Sequence, residues 1–169
     1  MRGKLPEQVD PKRLAHQGTR ITGAIPADTL TRLASAFEVR GDAQIDLAFS
    51  WSEAGRPHLS GEITAPVASV CQRCLQVYET TLQADVDLEI GTAPRDAEQD
   101  FEIVLRADES LKLRDLVEDE LLLAAPMIAL HAPSECTAPA GADEDAVPAD
   151  GTTRKPFADL QAMWKRKDE

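Results

Sequence analysis

The chain has 169 residues, of which 43% are hydrophobic, and its formal net charge is -12 at pH 7. This length allows one domain with tails and a single hydrophobic core. Because a phosphate backbone repels such a surface, broad nucleic-acid binding is disfavoured and basic partners are favoured. The sequence contains neither a signal-peptide core nor an apolar run of about 18 residues, so we expect a cytoplasmic protein without a membrane span.

Residues 1–40 are predicted to carry two short helices. In the first, Asp10 is a suitable N-cap and Pro11 occupies the first helical position. The second is predicted from "PADTLTRLASAF", in which Leu30 and Leu33 recur at a helical interval. We interpret this segment as a lead into the main domain.

From Gly41 onward the hydrophobic period changes to two, which is typical of strands with one buried face. Four strands are predicted, and they cover residues 44–51, 59–70, 81–90 and 101–105. One-sided alternation in successive short strands indicates an antiparallel meander. The predicted fold class is therefore α+β, with an antiparallel β-sheet meander packed against a few short helices.

A further helix is predicted over residues 114–125, before Pro126. Acidic residues early in this helix are favoured by the positive end of the helix dipole. They are Asp115, Glu118, Asp119 and Glu120. These side chains form either a solvated face or a surface for a basic partner.

The sequence predicts three parts: a single α+β domain over residues 1–136, a flexible acidic linker over 137–153 and a C-terminal amphipathic helix with a basic end over 154–169. The linker consists of Ala, Pro, Gly and acidic residues, which cannot offset the entropy of ordering. The apolar stripe of the last segment consists of Phe157, Leu160, Met163 and Trp164. Such a tethered helix can bind its own domain or a partner.

The three cysteines fall in two short segments. Cys71 and Cys74 have C-x-x-C spacing, and His131 and Cys136 follow the acidic helix. Three thiolates and one imidazole form one of the ligand sets of structural zinc. We therefore predict zinc as the cofactor and these four residues as its ligands. The site must then join a turn between strands to the end of a helix.

Unliganded structural thiols and a redox pair are the alternatives to zinc. A redox C-x-x-C belongs at a helix N-terminus in a thioredoxin-like βαβ unit, whereas this pair lies between two strand-like runs. The sequence also contains no Gly-rich phosphate loop, no nucleophile elbow and no His-Glu-x-x-His helix. We predict no catalytic residue, no small-molecule substrate and no enzymatic activity.

Three motifs in this order, "VCQRCL", "LVEDELLLAAPMIALH" followed by Cys136, and "PFADLQAMWKRK", resemble the YceD family of bacterial large ribosomal RNA subunit accumulation proteins. The resemblance covers residues 60–169. It implies a non-enzymatic cytoplasmic factor that is needed for normal levels of large-subunit ribosomal RNA. It also implies a genomic association with a small basic protein of that subunit. Where family members commonly have Asn before the terminal Pro-Phe, this chain has Lys155.

The predicted partner is a basic protein of the large ribosomal subunit, ribosomal RNA, or both. The residues predicted to bind it are Arg73, Glu118, Asp119, Glu120, Phe157, Leu160 and Trp164. Arg73 can present its guanidinium to an RNA phosphate or to a partner carboxylate, or it is a solvated loop residue. The alternative functions are a thiol-based redox protein that uses the C-x-x-C pair and a purely structural zinc module of a larger complex.

Overall fold

The computed structural model describes residues 5–91, 103–104 and 110–136. The chain divides into two units, Met1–Cys136 and Thr137–Glu169, and all described residues belong to the first. The segments predicted as a linker and as a C-terminal amphipathic helix lie outside the described residues and stay predictions.

The described part of the chain is mainly β-structure with short helices. Its strands are β1 (Gln8–Val9), β2 (Arg20–Ile25), β3 (Glu38–Val39), β4 (Ala43–Trp51), β5 (Pro57–Val70), β6 (Val77–Gly91), β7 (Ile103–Val104) and β8 (Leu111–Lys112). Its helices are α1 (Pro11–Gln17), α2 (Thr31–Ala36) and α3 (Leu113–Leu123), with 3-10 turns at Ala27–Thr29 and Pro133–Glu135. None of these helices has the length and apolar character that a membrane crossing requires.

The main sheet has the strand order β2–β4–β5–β6–β7, and β3 pairs with β5 beyond the end of β4. Its pairs are antiparallel except the last, in which Ile90 of β6 lies beside Ile103 of β7 in parallel register. A parallel neighbour requires a crossover of about a dozen residues, and residues 92–102 provide a connection of about that length. The α+β class and the meander of β4, β5 and β6 are confirmed, while the parallel β7 departs from the predicted meander.

The core lies between one face of this sheet and helices α1 and α3. Leu47, Leu59 and Ile63 of the sheet are fully buried, in one cluster with Leu116 of α3. The predicted apolar face of β6 is buried along its length, and it consists of Leu82, Ala84, Val86, Leu88 and Ile90. The alternation in the sequence therefore predicted the correct face. In β4 the same alternation predicted that Trp51 would be buried, but this last residue of the strand is 38% exposed.

One glycine permits the close approach of β4 and β5. Gly61 lies inside β5 with a φ of +150°, a conformation that side chains disfavour. A Cβ atom at this position would lie 2.0 Å from the carbonyl oxygen of Asp46 on β4. Only a residue without a side chain fits between the two backbones.

The N-terminal third contains both predicted helices. The carboxylate of Asp10 accepts hydrogen bonds from the backbone amides of Lys12 (3.0 Å) and Arg13 (3.2 Å), so the predicted cap of α1 is confirmed. The same third also contains β2, an edge strand that the sequence analysis missed. Gly23 interrupts the apolar alternation of this strand, which concealed its period.

Candidate metal centre

The two cysteines of the C-x-x-C pair lie in the loop that connects β5 to β6, residues 71–76. The amide of Cys71 donates to the carbonyl of Gln76 at 2.9 Å, and the amide of Leu75 donates to the carbonyl of Cys71 at 2.8 Å. Leu75 has a φ of +60°, a left-handed conformation that costs a residue with a Cβ about 1–2 kcal/mol. The surrounding loop holds Leu75 in this strained conformation. The turn places the thiols of Cys71 and Cys74 in one cluster.

The second arm of the site follows α3. Residues 124–132 run without regular structure to the 3-10 turn that precedes Cys136. The amide of Gln72 donates to the carbonyl of Ala129 at 2.9 Å, which ties this arm to the hairpin loop. The ring of His131 stacks on Tyr78 with a centroid distance of 5.4 Å. These two contacts hold the segment that contains His131 and Cys136 next to Cys71 and Cys74.

The four residues predicted as ligands form one cluster. The ligand atoms of Cys71, Cys74, His131 and Cys136 all lie within 4.8 Å of one another. The sulfur atoms of Cys71 and Cys136 are 3.9 Å apart, and the Cys74 sulfur lies 3.0 Å from Nε2 of His131. Cys71 and Cys74 are buried, while His131 and Cys136 are half-buried.

This cluster has the chemistry and size of a metal site. A tetrahedral ion that binds thiolates at about 2.3 Å separates two sulfur ligands by about 3.8 Å. The distance of 3.9 Å between the Cys71 and Cys136 sulfurs agrees with this value. The 3.0 Å contact between Cys74 and His131 is shorter, as expected for a thiol hydrogen-bonded to an imidazole. The residues present therefore fit a single metal ion.

Backbone amides favour one thiolate of the cluster. Burial opposes ionisation of the Cys71 thiol, but hydrogen bonds from the backbone of Cys74, His131 and Arg73 lower its pKa from 9.0 to about 6. At Cys74 a hydrogen bond from the backbone of Gln76 favours the thiolate, yet burial and the neighbouring sulfurs outweigh it and raise the pKa. The cluster thus resists holding several negative charges without a cation.

Arg73 contacts the cluster directly. Its Nε donates a hydrogen bond to the sulfur of Cys136 at 2.8 Å. This bond, together with the negative character of the three sulfurs, outweighs the effect of burial and raises the pKa of the Arg73 guanidinium. Sequence reasoning gave Arg73 a role toward a partner and missed this contact. Its position between two predicted ligands was the signal that could have revealed it.

Comparison with known proteins places the chain in a family. The family model described as "Large ribosomal RNA subunit accumulation protein YceD" matches residues 59–163. The chain belongs to the YceD family. A curated relative from Haemophilus influenzae, "Large ribosomal RNA subunit accumulation protein YceD", is 32% identical over an alignment of 139 residues, which covers 79% of each chain. The solved structures give no significant match.

The match to the YceD family includes both arms of the candidate metal centre and the whole of α3. The resemblance inferred from the three sequence motifs is therefore confirmed. The four candidate ligands of this YceD-family chain lie within that range, two in the β5–β6 loop and two in the segment after α3, and the fold brings them together.

The acidic residues of α3 occupy different environments. Glu118 is only 2% exposed, and its carboxylate accepts hydrogen bonds from the amides of Arg32 (2.7 Å) and Leu33 (3.1 Å) in the first turn of α2. This corrects the expectation that Glu118 belongs to an exposed acidic surface, because a carboxylate that caps another helix cannot meet a partner. Asp119 is half-exposed and forms an ion pair with Arg32, and Glu120 is half-buried.

The other residues predicted to bind a partner, Phe157, Leu160 and Trp164, lie outside the described residues. Sequence reasoning also missed a group of exposed apolar side chains beside the candidate metal centre. This group, here called the apolar rim, consists of Val70, Leu75, Val77, Met127, Ile128 and Leu130, which are 46% to 98% exposed. The signal in the sequence was the apolar run "MIAL" after Pro126.

Proposed function

We propose that this chain is a non-enzymatic cytoplasmic factor of ribosome biogenesis that supports the accumulation of large-subunit ribosomal RNA. Membership of the YceD family supports this role, as does the name of the relative from Haemophilus influenzae. The observation that carries the non-enzymatic part is the number of candidate ligands. Four protein ligands fill a tetrahedral ion, whereas a catalytic zinc keeps one position open for water or substrate.

The metal that we propose is zinc, held by Cys71, Cys74, His131 and Cys136. Three cysteines and one histidine are a common structural zinc set, and thiolate ligands disfavour magnesium and calcium. The zinc would join the β5–β6 loop to the segment after α3, two parts of the chain that share the hydrogen bond from Gln72 to Ala129. Its role is then to fix a surface, and it takes part in no reaction.

The partner that we propose is a basic protein of the large ribosomal subunit, with ribosomal RNA as a minor contact. Exposed carboxylates supply the charge, among them Asp119 on α3 and, on the opposite face of the sheet, Asp85 and Asp87 of β6. The apolar rim beside the metal centre offers contacts that a purely electrostatic encounter lacks. The tethered stripe of Phe157, Leu160 and Trp164 remains a predicted second anchor. Glu118 has no place in this surface.

The role in RNA accumulation can be tested in cells that lack the gene. The wild-type chain is expected to restore the ratio of large-subunit to small-subunit ribosomal RNA, and Cys74→Ser is expected to fail. Gly55→Ala is the control, because this exposed turn tests mild destabilisation without touching the metal centre. An unchanged ratio in the deletion strain would overturn the proposed role.

The partner can be tested with purified chain and the RNA-free protein fraction of dissociated large subunits. We expect retention of a basic protein at moderate salt, weakened by Asp119→Lys and by Met127→Ser. Glu53→Lys is the matched control, because it makes the same charge change in the exposed β4–β5 turn. If ribonuclease-treated extracts yield no bound ribosomal protein while the chain binds ribosomal RNA by itself, direct RNA recognition replaces the proposed partner.

A thiol-based redox function is the second candidate, and two observations favour it. The Cys71 thiol has a pKa of about 6, and its sulfur lies 3.9 Å from that of Cys136. An exchange reaction would then use Cys71 and Cys136 in place of the C-x-x-C pair. Metal-loaded protein with unreactive thiols would exclude this candidate.

A further inference from the structure

Arg73 occupies an unusual place for an arginine that was expected to face a partner. It lies in the hairpin loop between Cys71 and Cys74, two of the candidate ligands. Although the residue is exposed, its Nε donates to the Cys136 sulfur at 2.8 Å. The loop therefore carries two ligands and also a cation aimed at a ligand from the opposite arm.

The contact between Arg73 and Cys136 places a positive charge beside a site that would be negatively charged when it holds a metal ion. A divalent ion with three thiolates and a neutral imidazole carries a net charge of about -1. Such a charge is costly where two of the ligands are buried. The Arg73 guanidinium remains protonated at all ordinary pH values, and a charge-assisted hydrogen bond to a thiolate is stronger than a neutral one.

Cys136 is also the ligand with the weakest support of its own. Cys71 and Cys74 are fixed by the closed hairpin loop, and His131 stacks on Tyr78. The described backbone contact of Cys136 is a 3.3 Å hydrogen bond from its amide to Pro133 within the 3-10 turn. The hydrogen bond from Arg73 links the Cys136 side chain to the hairpin loop.

We infer that Arg73 is a positioning residue of the metal centre, which holds Cys136 as the fourth ligand and neutralises the loaded site. This inference rests on the proposed zinc site. It assigns Arg73 a structural role in the metal centre in place of the predicted role in partner binding. Outer residues that hold a ligand typically change metal affinity by about 10–100-fold when they are replaced.

The test compares Arg73→Gln and Arg73→Lys with wild type in the full-length purified chain. Zinc affinity is measured by competition with a chromophoric chelator, and Co²⁺ is then substituted for zinc. We expect Arg73→Gln to raise the zinc Kd about 10–100-fold and Arg73→Lys to restore part of the loss. The sulfur-to-cobalt charge-transfer absorption should weaken in Arg73→Gln, because this band reports the number of bound thiolates.

Arg20→Gln is the matched control, since it removes an arginine that pairs with Asp46 on the surface of the sheet. Its zinc affinity and cobalt spectrum should equal those of wild type. Wild-type zinc affinity and an unchanged cobalt spectrum in Arg73→Gln would overturn the inference while leaving the zinc site intact. Wild-type protein that binds neither ion would overturn the zinc site and the inference together.

Discussion

The two ends of the β5–β6 hairpin are built from similar residues but held in different ways. At one end Leu59 lies opposite Leu88, and these residues are 0% and 8% exposed. At the other end Val70 lies opposite Val77, and these are 50% and 61% exposed. The buried end gains about 25 cal/mol for each Å² of apolar surface that it removes from water. The exposed end instead carries the cluster of thiols and imidazole.

This difference teaches how a small domain extends a surface beyond its core. Helices α1 and α3 pack against the sheet, and Leu59 and Leu88 belong to the same buried cluster as Leu14 of α1 and Leu116 of α3. At the loop end, contacts among sulfur, imidazole and guanidinium groups are found in place of apolar packing. The stability of the buried end should therefore depend on how closely its apolar side chains pack. The stability of the loop end should depend on whether a metal ion is bound and on the pH.

The largest expected effect breaks the buried end. Gly61→Ala forces a Cβ atom to within 2.0 Å of the Asp46 carbonyl oxygen, at a φ of +150°. We expect a loss of about 3 kcal/mol or more in the free energy of unfolding, measured by urea titration. Gly55→Ala is the control, because Gly55 also has a positive φ but no atom within 4 Å, and its cost should be about 1 kcal/mol. Equal losses in the two variants would contradict the close approach of β4 and β5.

The next experiment compares the two ends directly. Leu59→Ala removes a fully buried side chain and should cost about 2–5 kcal/mol of unfolding free energy. Val77→Ala removes a side chain that is 61% exposed and should cost about 0.5 kcal/mol or less. Denaturant midpoints of the metal-free proteins measure both losses. A large loss in Val77→Ala would show that the loop end has an apolar core after all.

A smaller effect concerns the buried carboxylate on α3. Glu118→Ala removes the acceptor of two backbone amides in the first turn of α2, which should cost about 1–3 kcal/mol of unfolding free energy. Asp119→Ala provides the control, since its side chain is 50% exposed and forms a surface ion pair. Such pairs contribute about 0–1 kcal/mol. Equal stability of the two variants would contradict the buried capping role of Glu118 and would indicate that its side chain belongs to the exposed acidic surface.

The pH dependence should distinguish the loop end. Folding lowers the pKa of Cys71 from 9.0 to about 6, so the unfolded chain binds more protons between these values. The Cys71 contribution to stability is therefore present in full above about pH 9 and is lost as the pH falls to 6. The raised pKa of Cys74 acts in the opposite direction at the alkaline side of this range.

The denaturant midpoint of metal-free protein should thus increase from pH 6 to pH 8 more steeply in wild type than in Cys71→Ser. The comparison uses slopes, so a constant difference in stability between the two proteins does not affect it. Parallel curves for the two proteins would refute the low pKa of Cys71.

The sequence predicted those features that depend on local residue types. The alternation in β6, the Asp10 cap and the four candidate ligands can be inferred because each pattern is visible within a few residues. Glu118 could not be assigned, because its hydrogen-bond donor Arg32 is 86 residues away in the sequence. The need for glycine at position 61 follows from the register of β4 and β5, and the parallel pairing of β7 depends on how the chain crosses over. Such features depend on tertiary placement, which local patterns do not encode.

The metal content of the purified chain tests the central claim most directly. Protein prepared without chelator should contain close to one zinc ion per chain by elemental analysis. Cys74→Ser should lose most of this zinc, because the closed set of four ligands becomes a set of three. Wild-type protein that contains no zinc, and whose Cys71, Cys74 and Cys136 react freely with a thiol reagent in the folded state, would contradict the claim.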